Sequence, residues 1–176
     1  MSETSKKHKA AAPKQLKFAV FVCSTSRYQQ LQKGEDIDDA SGDAIMALLK
    51  EAGHTVTSRK IIADDKRMIE EAVKSVLDSA ELDAAIFCGG TGITPKDVTI
   101  EAVSPFLEKT LPGFGEIFRR LSYDKVGSAA VMSRAVAGVA KGKALFCIPG
   151  SPDAVRVSVE MLILPEAPHI VRHARE

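Results

Sequence analysis

The stretch "CGGTGITPKD", from Cys88 to Asp97, puts Gly89, Gly90 and Gly92 around Thr91 and closes on a lysine and an aspartate. An apolar run, "LDAAIF", precedes it, and "VTIEAVSPFL" follows with helical character. Glycines between a strand and a helix let backbone N–H groups approach an anion with no Cβ in the way, and the helix start adds positive potential. Thr91 offers a hydroxyl, and Lys96 offers positive charge. Asp97, together with Asp64 in "ADD", offers carboxylates for a magnesium ion that bridges phosphate oxygens; magnesium needs only one or two such ligands. Each residue has a plainer reading. Asp64 and Asp97 both stand near helix starts, where a cap contributes about 1 kcal/mol. Arg27 and Lys96 can equally be solvated surface charges, and Ser133 in "MSRA" a further cap.

These residues must be positioned by a sheet. The apolar run Leu16 to Cys23 reads as a strand. A polar stretch of about sixteen residues without periodicity, "STSRYQQLQKGEDIDD", follows as a long loop of the kind that often carries function. Ser41 reads as an N-cap before a helix whose apolar face is Ile45, Leu48, Leu49 and Ala52, stopped by Gly53. "HTVTSRKII" is a second strand. Ile69, Val73, Val76, Leu77 and Ala80 mark the next buried helix face. "LDAAIF" is a short, doubly covered strand. Helices are expected near 98–107 and from Gly113 to Ser122, and strands at "GSAAVMS" and "GKALFCI". The last helix is capped by Ser151 with Pro152 as its first residue, a position where a missing N–H costs nothing. Pro165 is expected to interrupt it. Strands alternating with helices predict an α/β class with a mostly parallel sheet covered on both faces.

Ligands in such sheets bind beyond the carboxyl ends of the strands. The loops there begin with Ser24 to Arg27, Asp64 and Asp65, Gly89 to Gly92, and Pro149, Gly150 and Ser151. Rival motifs fail. "GVAKGKA" is too short for a P-loop and ends in alanine, and a dinucleotide fingerprint would need glycine at Pro95. His8 and His173 fall in the terminal stretches, His169 lies near the C-terminus, and His54 follows a helix stop, so no Ser-His or Cys-His nucleophile pair is apparent. Cys23, Cys88 and Cys147 each end an apolar run, which predicts buried, reduced thiols and a cytoplasmic protein.

Composition excludes other classes. A length of 176 residues with 45% hydrophobic and 27% charged residues suits one soluble domain, taken here as 16–176. Residues 1–15, "MSETSKKHKAAAPKQ", read as a flexible basic tail without a signal peptide. A net charge of +1 and 5% aromatic residues without tryptophan argue against nucleic-acid binding. No segment is long enough to span a membrane.

Four stretches taken together carry a resemblance: "GGTGITPKDVTIEA", "PGFGEIFRRLS", "SRAVAGV" and "PGSPDAV". In this order and spacing the chain resembles the MoaB/Mog family of molybdenum-cofactor biosynthesis, nearer its MoaB branch, over about residues 16 to 165. The resemblance implies a three-layer αβα fold, homotrimers or homohexamers, and Mg-ATP-dependent adenylylation of molybdopterin with release of pyrophosphate. It implies a downstream enzyme that inserts molybdate or tungstate. The family's two important acids match Asp64 and Asp97, with a role for both in holding Mg2+. Gly89, Gly90, Thr91 and Gly92 match its pterin- or phosphate-holding loop. Ser133, Pro149, Gly150 and Ser151 match further pocket positions, and Ser24 with Arg27 the first loop. Lys96 stands where many relatives carry arginine, which keeps the charge but not the planar fork. The alternative is a molybdopterin-binding carrier or scaffold without turnover. Related domains in competence/damage-inducible proteins usually carry an extra domain.

Overall fold

A computed structural model describes residues 13–176; the remainder of the expected tail, 1–12, lies outside the described residues. Six strands form one sheet in the order β2-β1-β3-β6-β5-β4. The strands are β1 (Lys17–Cys23), β2 (Thr55–Ile62), β3 (Ala84–Cys88), β4 (Lys109–Thr110), β5 (Val136–Ala140) and β6 (Lys143–Ile148). β2, β1, β3 and β6 run parallel, and β5 and β4 complete the sheet antiparallel.

Alternation along the strands sorts the core into two faces, as a period of two requires. Phe18, Val20, Ala84, Ile86, Ala144, Phe146 and Ile148 point to one side. There they meet α2 (Ala40–Glu51), α5 (Pro112–Val126) and the C-terminal helices α6 (Pro152–Ser158) and α7 (Leu164–Ala174). Ala19, Phe21, Ala85, Phe87, Leu145 and Cys147 point to the other side, against α3 (Lys66–Asp78) and α4 (Thr99–Val103). Every residue of β3 and β6 is buried, and apart from Lys143, whose Nζ donates to the Ser79 and Leu82 carbonyls, both strands are the apolar runs that a doubly covered sheet demands. Phe21 stacks on Phe87 at 5.0 Å within the second face. The result is the expected three-layer αβα sandwich.

Several elements differ from expectation. The long polar stretch contains a helix, α1 (Thr25–Gln32), with no buried residue. Without an apolar face it leaves no periodic trace; its start is set by Ser24, whose Oγ accepts the Arg27 N–H at 3.4 Å. Asp39, not Ser41, caps α2, accepting the Gly42 N–H at 3.1 Å. Ser41 lies inside the helix, buried. Ala52 is the exposed C-cap of that helix, and the chain leaves at Gly53 with φ +82°. Ala80 is exposed beyond the end of α3. Gly127 to Met132, expected as a strand, forms a 3-10 turn with only Ala130 buried. The strand follows it as β5, starting at Val136. The interruption expected at Pro165 is present: the helix capped by Ser151 ends at Ser158, and a second helix starts at Leu164 with Pro165 in its first turn. In a regular helix its ring would meet the carbonyl of Met161, and the chain widens there into a π turn, Val159–Ile163.

Arg59 on the edge strand β2 ties the first loop down. It pairs with Asp39 and, at 2.5 Å, with Asp43, and Asp39 is only 3% exposed. Removing the guanidinium leaves a buried carboxylate without its counter-ion, which costs about 3 kcal/mol. Arg59→Ala is therefore expected to lower the stability in urea by about that amount, with Asp39→Ala/Arg59→Ala less destabilised than Arg59→Ala alone.

Candidate functional site

The loops after β1, β2, β3 and β6 meet at the carboxyl edge, and the contacts between them leave no space for side chains. Gly89 has φ +103°, and a Cβ there would run into the carbonyl oxygen of Cys23 at the end of β1. Gly150 packs on Gly89 so closely that its Cβ would lie 3.2 Å from the Gly89 Cα. Ser41 Oγ donates to the Gly150 carbonyl at 2.7 Å, fastening α2 to the last loop. Gly90, at φ +61°, faces Asp64: a Cβ would stand 2.5 Å from both Asp64 Oδ1 and Thr99 Oγ1. Gly92 faces Asp97, with its would-be Cβ 2.7 Å from Oδ2. The two acids thus flank one glycine loop, two residues apart along it.

Neither acid caps its helix. Asp65, the neighbour of Asp64, caps α3 by accepting the Met68 N–H at 2.9 Å. Asp64 Oδ2 instead accepts the backbone N–H of Thr25 at 2.9 Å and its hydroxyl at 3.1 Å. Asp64 Oδ1 is buried and has no hydrogen-bond partner. Asp97 Oδ2 accepts from the Thr94 hydroxyl at 2.7 Å and the Thr94 N–H at 2.9 Å, closing the glycine loop on itself. The Thr94 hydroxyl, with the N–H groups of Thr94 and Gly92 and the nearby Arg134 charge, holds the Asp97 carboxyl below its ordinary value. Among the described residues no group of three or more histidines, cysteines and acids gathers as a metal-ligand set. The unpaired Asp64 oxygen and the ionised Asp97 are the donors this edge offers.

The remaining candidates divide by location. Thr91 is buried, and its carbonyl accepts Arg134 Nε at 2.9 Å. Ser133, Pro149 and Ser151 line a pocket of 110 Å³ with Phe118 and Val157. Ser151 also caps α6, accepting the Ala154 N–H at 3.3 Å. Ser24 joins β1 to β2 through its N–H, which donates to the Ile62 carbonyl at 2.9 Å. Arg27 sends Nε to the Asp38 carbonyl at 2.9 Å, and Lys96 is exposed on the glycine loop.

Sequence reasoning missed the residues that hold this loop. Arg134 makes two bonds to Glu101, at 2.6 and 3.2 Å, and so straps the Thr91 carbonyl to α4. The pair holds the Glu101 carboxyl below its ordinary value and the Arg134 guanidinium above its own. Thr99 is fully buried, its hydroxyl donating to the Gly89 carbonyl at 2.8 Å and its N–H to Gly90 at 3.0 Å. Arg134 adjoins Ser133 in "SRAVAGV", Thr25 lies in the loop from Ser24 to Arg27, and Thr94, Thr99 and Glu101 lie within "GGTGITPKDVTIEA", so their places were legible, but no local pattern assigned them these contacts. Burial pushes the Cys23 and Cys88 thiols up to about 12 and that of Cys147 higher still, so none is a thiolate near neutrality.

Fold and site together define an α/β protein of the doubly wound type, with a cradle of glycines and acids at the carboxyl edge of its sheet. The family described as "Probable molybdopterin binding domain" matches residues 19–169, and the chain belongs to it. It is 46% identical over 164 residues to molybdenum cofactor biosynthesis protein B of Bacillus anthracis, covering 93% of each chain. It is 41% identical over 173 residues to a protein of Pyrococcus furiosus named molybdopterin adenylyltransferase, covering 96% of this chain and 97% of that one. The crystal structure of the tungsten cofactor synthesizing protein MoaB from Pyrococcus furiosus superposes with a TM-score of 0.82 at 39% identity, covering 94% of this chain and all of that one.

The Asp97 environment predicts a pH effect. A carboxyl held below its ordinary 3.8 contributes stability that is fully present above that value and is lost as pH falls through the lowered one. Thr94→Val removes the leading cause. The Asp97 pKa, followed by carboxyl NMR, is expected to rise toward 3.8 in this variant, with less stability than the parent at pH 7 and a difference that shrinks as pH falls through the parent's lowered value.

Proposed function

We propose that this chain adenylylates molybdopterin, using ATP and magnesium. An oxygen of the molybdopterin terminal phosphate forms a bond to the α-phosphorus of ATP; the bond from that phosphorus to the β-phosphate oxygen breaks, and pyrophosphate leaves. The observation that carries the reading is the pairing of two acids with one glycine loop, Asp64 against Gly90 and Asp97 against Gly92. A protein nucleophile is not needed, because the substrate phosphate is the nucleophile; catalysis reduces to positioning and charge stabilisation.

Each group then has a task. The N–H groups of Gly90 and Thr91 receive phosphate oxygens; Gly89, whose N–H donates to the Ile148 carbonyl at 2.9 Å, and Gly92, whose N–H faces Asp97, leave room for them and hold the loop. Asp64 and Asp97 hold the Mg2+ that, when bound, neutralises charge on the phosphates. Arg27 and Lys96 meet phosphates at the rim of the cradle. Ser24, Ser133, Pro149, Gly150 and Ser151 shape the place of the pterin, the last three on the loop that touches Gly89. Arg134 and Glu101 keep the glycine loop in register with the acids.

The product is a mixed anhydride, an activated form that a separate metal-inserting enzyme consumes with molybdate or tungstate. We assign the work to homotrimers or homohexamers in the cytoplasm. Support for self-assembly comes from Ile117, Tyr123, Val126, Val131 and Met132, large apolar side chains more than half exposed within one stretch of α5 and the following turn. No helix among the described residues is long and apolar enough to cross a membrane.

Turnover tests the proposal. With molybdopterin, ATP and magnesium, the parent chain is expected to form adenylyl-molybdopterin and pyrophosphate. Asp97→Asn and Asp64→Asn are each expected to lose roughly 100-fold in kcat, the scale of one removed charge-stabilising group. A parent chain that binds molybdopterin but yields no product would instead establish the carrier reading.

A further inference from the structure

The helix α1 follows β1 directly into the carboxyl edge, yet it has no core to pack on. It is eight residues long, and none of them is buried. A helix of that length does not hold together in water by its own backbone bonds; burial of an apolar face normally supplies the difference. Its order therefore rests on polar ties, and one of them reaches an acid of the site. Asp64 Oδ2 accepts the Thr25 N–H at 2.9 Å and the Thr25 hydroxyl at 3.1 Å, and the same hydroxyl oxygen accepts the Asp64 N–H at 3.1 Å. The first residue of α1 and Asp64 thus clasp each other through three hydrogen bonds. Ser24 Oγ, on the Arg27 N–H, and Arg27 Nε, on the Asp38 carbonyl, add ties within the same segment.

The clasp fixes the carboxylate plane. With both Thr25 donors on Oδ2, the other oxygen, Oδ1, is buried without a partner and faces Gly90, whose would-be Cβ lies 2.5 Å from it. A native fold retains such an oxygen where something else completes it, and a hard divalent cation is the matching group. The helix that Thr25 starts also carries Arg27. Burial raises the Cys88 thiol at the end of β3, Asp39 adds to the rise, and the Arg27 charge offsets part of it, so the guanidinium lies within reach of the strand ends. Its two terminal nitrogens make no hydrogen bond or ion pair among the described residues, because only Nε is engaged. Between α1 and the edge strand β2 a cavity of 420 Å³ remains, lined by Leu31 and Ile37 on one side and Lys60, Ile61 and Ile62 on the other. The helix has room to shift against the sheet while Thr25 stays clasped.

We propose, resting on the reading of this edge as an Mg-ATP site, that Thr25 is the positioning residue of Asp64 and that α1 is a flap whose order is coupled through this clasp to occupancy of the cradle. A cation on Oδ1 fixes the Asp64 carboxylate with Oδ2 turned to Thr25, and so holds the start of α1. A frayed α1 frees Oδ2, and the carboxylate loses the orientation that the cation needs. Partners of this kind orient metal ligands from the second layer. The coupling is reciprocal: whatever factor the ligand contributes to the order of α1, the order of α1 contributes to the affinity for the ligand. An ordered α1 also brings the free end of Arg27 to the phosphates, a second point of contact that closes the flap at its other side.

The test uses the full chain with ATP and no molybdopterin, so that nothing turns over. Affinity for Mn2+-ATP is read by electron paramagnetic resonance, and amide hydrogen exchange is followed at residues 26–32 with and without saturating Mg-ATP. In the parent, Mg-ATP is expected to slow exchange in α1 by about 5-fold or more, with the amides of β3 and β6 unmoved. Thr25→Val keeps the shape and the backbone bond but loses both hydroxyl bonds; it is expected to bind Mn2+-ATP about 10-fold more weakly and to exchange faster in α1. Thr25→Ser keeps the hydroxyl and is expected to restore both readouts. Unchanged protection of β3 and β6 verifies that the variants are folded. Mn2+-ATP affinity in Thr25→Val equal to that of the parent, or α1 exchange in the parent indifferent to Mg-ATP, overturns the coupling and leaves adenylylation standing; the second result needs no variant. A parent that binds no Mn2+-ATP overturns the proposed function and the coupling together.

Discussion

The carboxyl edge of this protein depends on one constraint: three strand ends come closer than any side chain permits. Gly89 lies against the Cys23 carbonyl on one side and Gly150 on the other. A methyl group at Gly89 would strike backbone, which cannot swing aside as a side chain can, and its φ of +103° would strain any other residue. The close approach fixes where β1, β3 and β6 end relative to one another. Everything that follows in the loops is referenced to that contact: Ser41 on the Gly150 carbonyl, Thr99 on the Gly89 carbonyl, and Asp64 beside Gly90.

Hydroxyls finish what the glycines begin. Bare backbone brings flexibility, and a cradle must hold its N–H groups still to be selective for phosphate geometry. Thr25, Thr94 and Thr99 each tie an acid or a loop carbonyl in place, and Arg134 adds a bridge from Thr91 to Glu101. The same bonds set the electrostatics. Thr94 spends its donors on one oxygen of Asp97 and keeps that carboxylate ionised, while Asp64 accepts from Thr25 on one oxygen and keeps the other without a partner. One acid is fully organised and the other is left half-satisfied, a state that a native fold retains where something else completes it.

How much of this was readable depends on whether a feature writes itself in local pattern. The parallel core did so, because β3 and β6 are buried along their whole length and leave apolar runs. The glycine loop did so through its composition. α1 did not, because a helix with no buried residue has no apolar periodicity to detect. The turn at 127–132 misled because "SAAVM" is apolar enough for a strand, yet Val131 is 80% exposed. The cap of α2 was misplaced by two residues because aspartate and serine are near-equal caps, and burial of Asp39 against Arg59 decided between them. Arg134 and Glu101 pair across 33 positions, and no local pattern encodes that distance.

The thiols show how the same core that builds the site also limits its chemistry. Cys23 and Cys88 end the two strands that lead into the cradle, a natural position for a nucleophile. Burial in the sheet raises both to about 12, and Cys88 Sγ lies 3.7 Å from the Pro149 carbonyl, an acceptor that favours the protonated thiol. The strand ends therefore deliver neutral sulfur and rigid backbone, while the charge needed for phosphate chemistry is confined to the loops one or two residues further on. A substrate that carries its own nucleophilic phosphate is the partner such an edge can serve, since the protein contributes position, a pair of acids and N–H groups, and no reactive side chain.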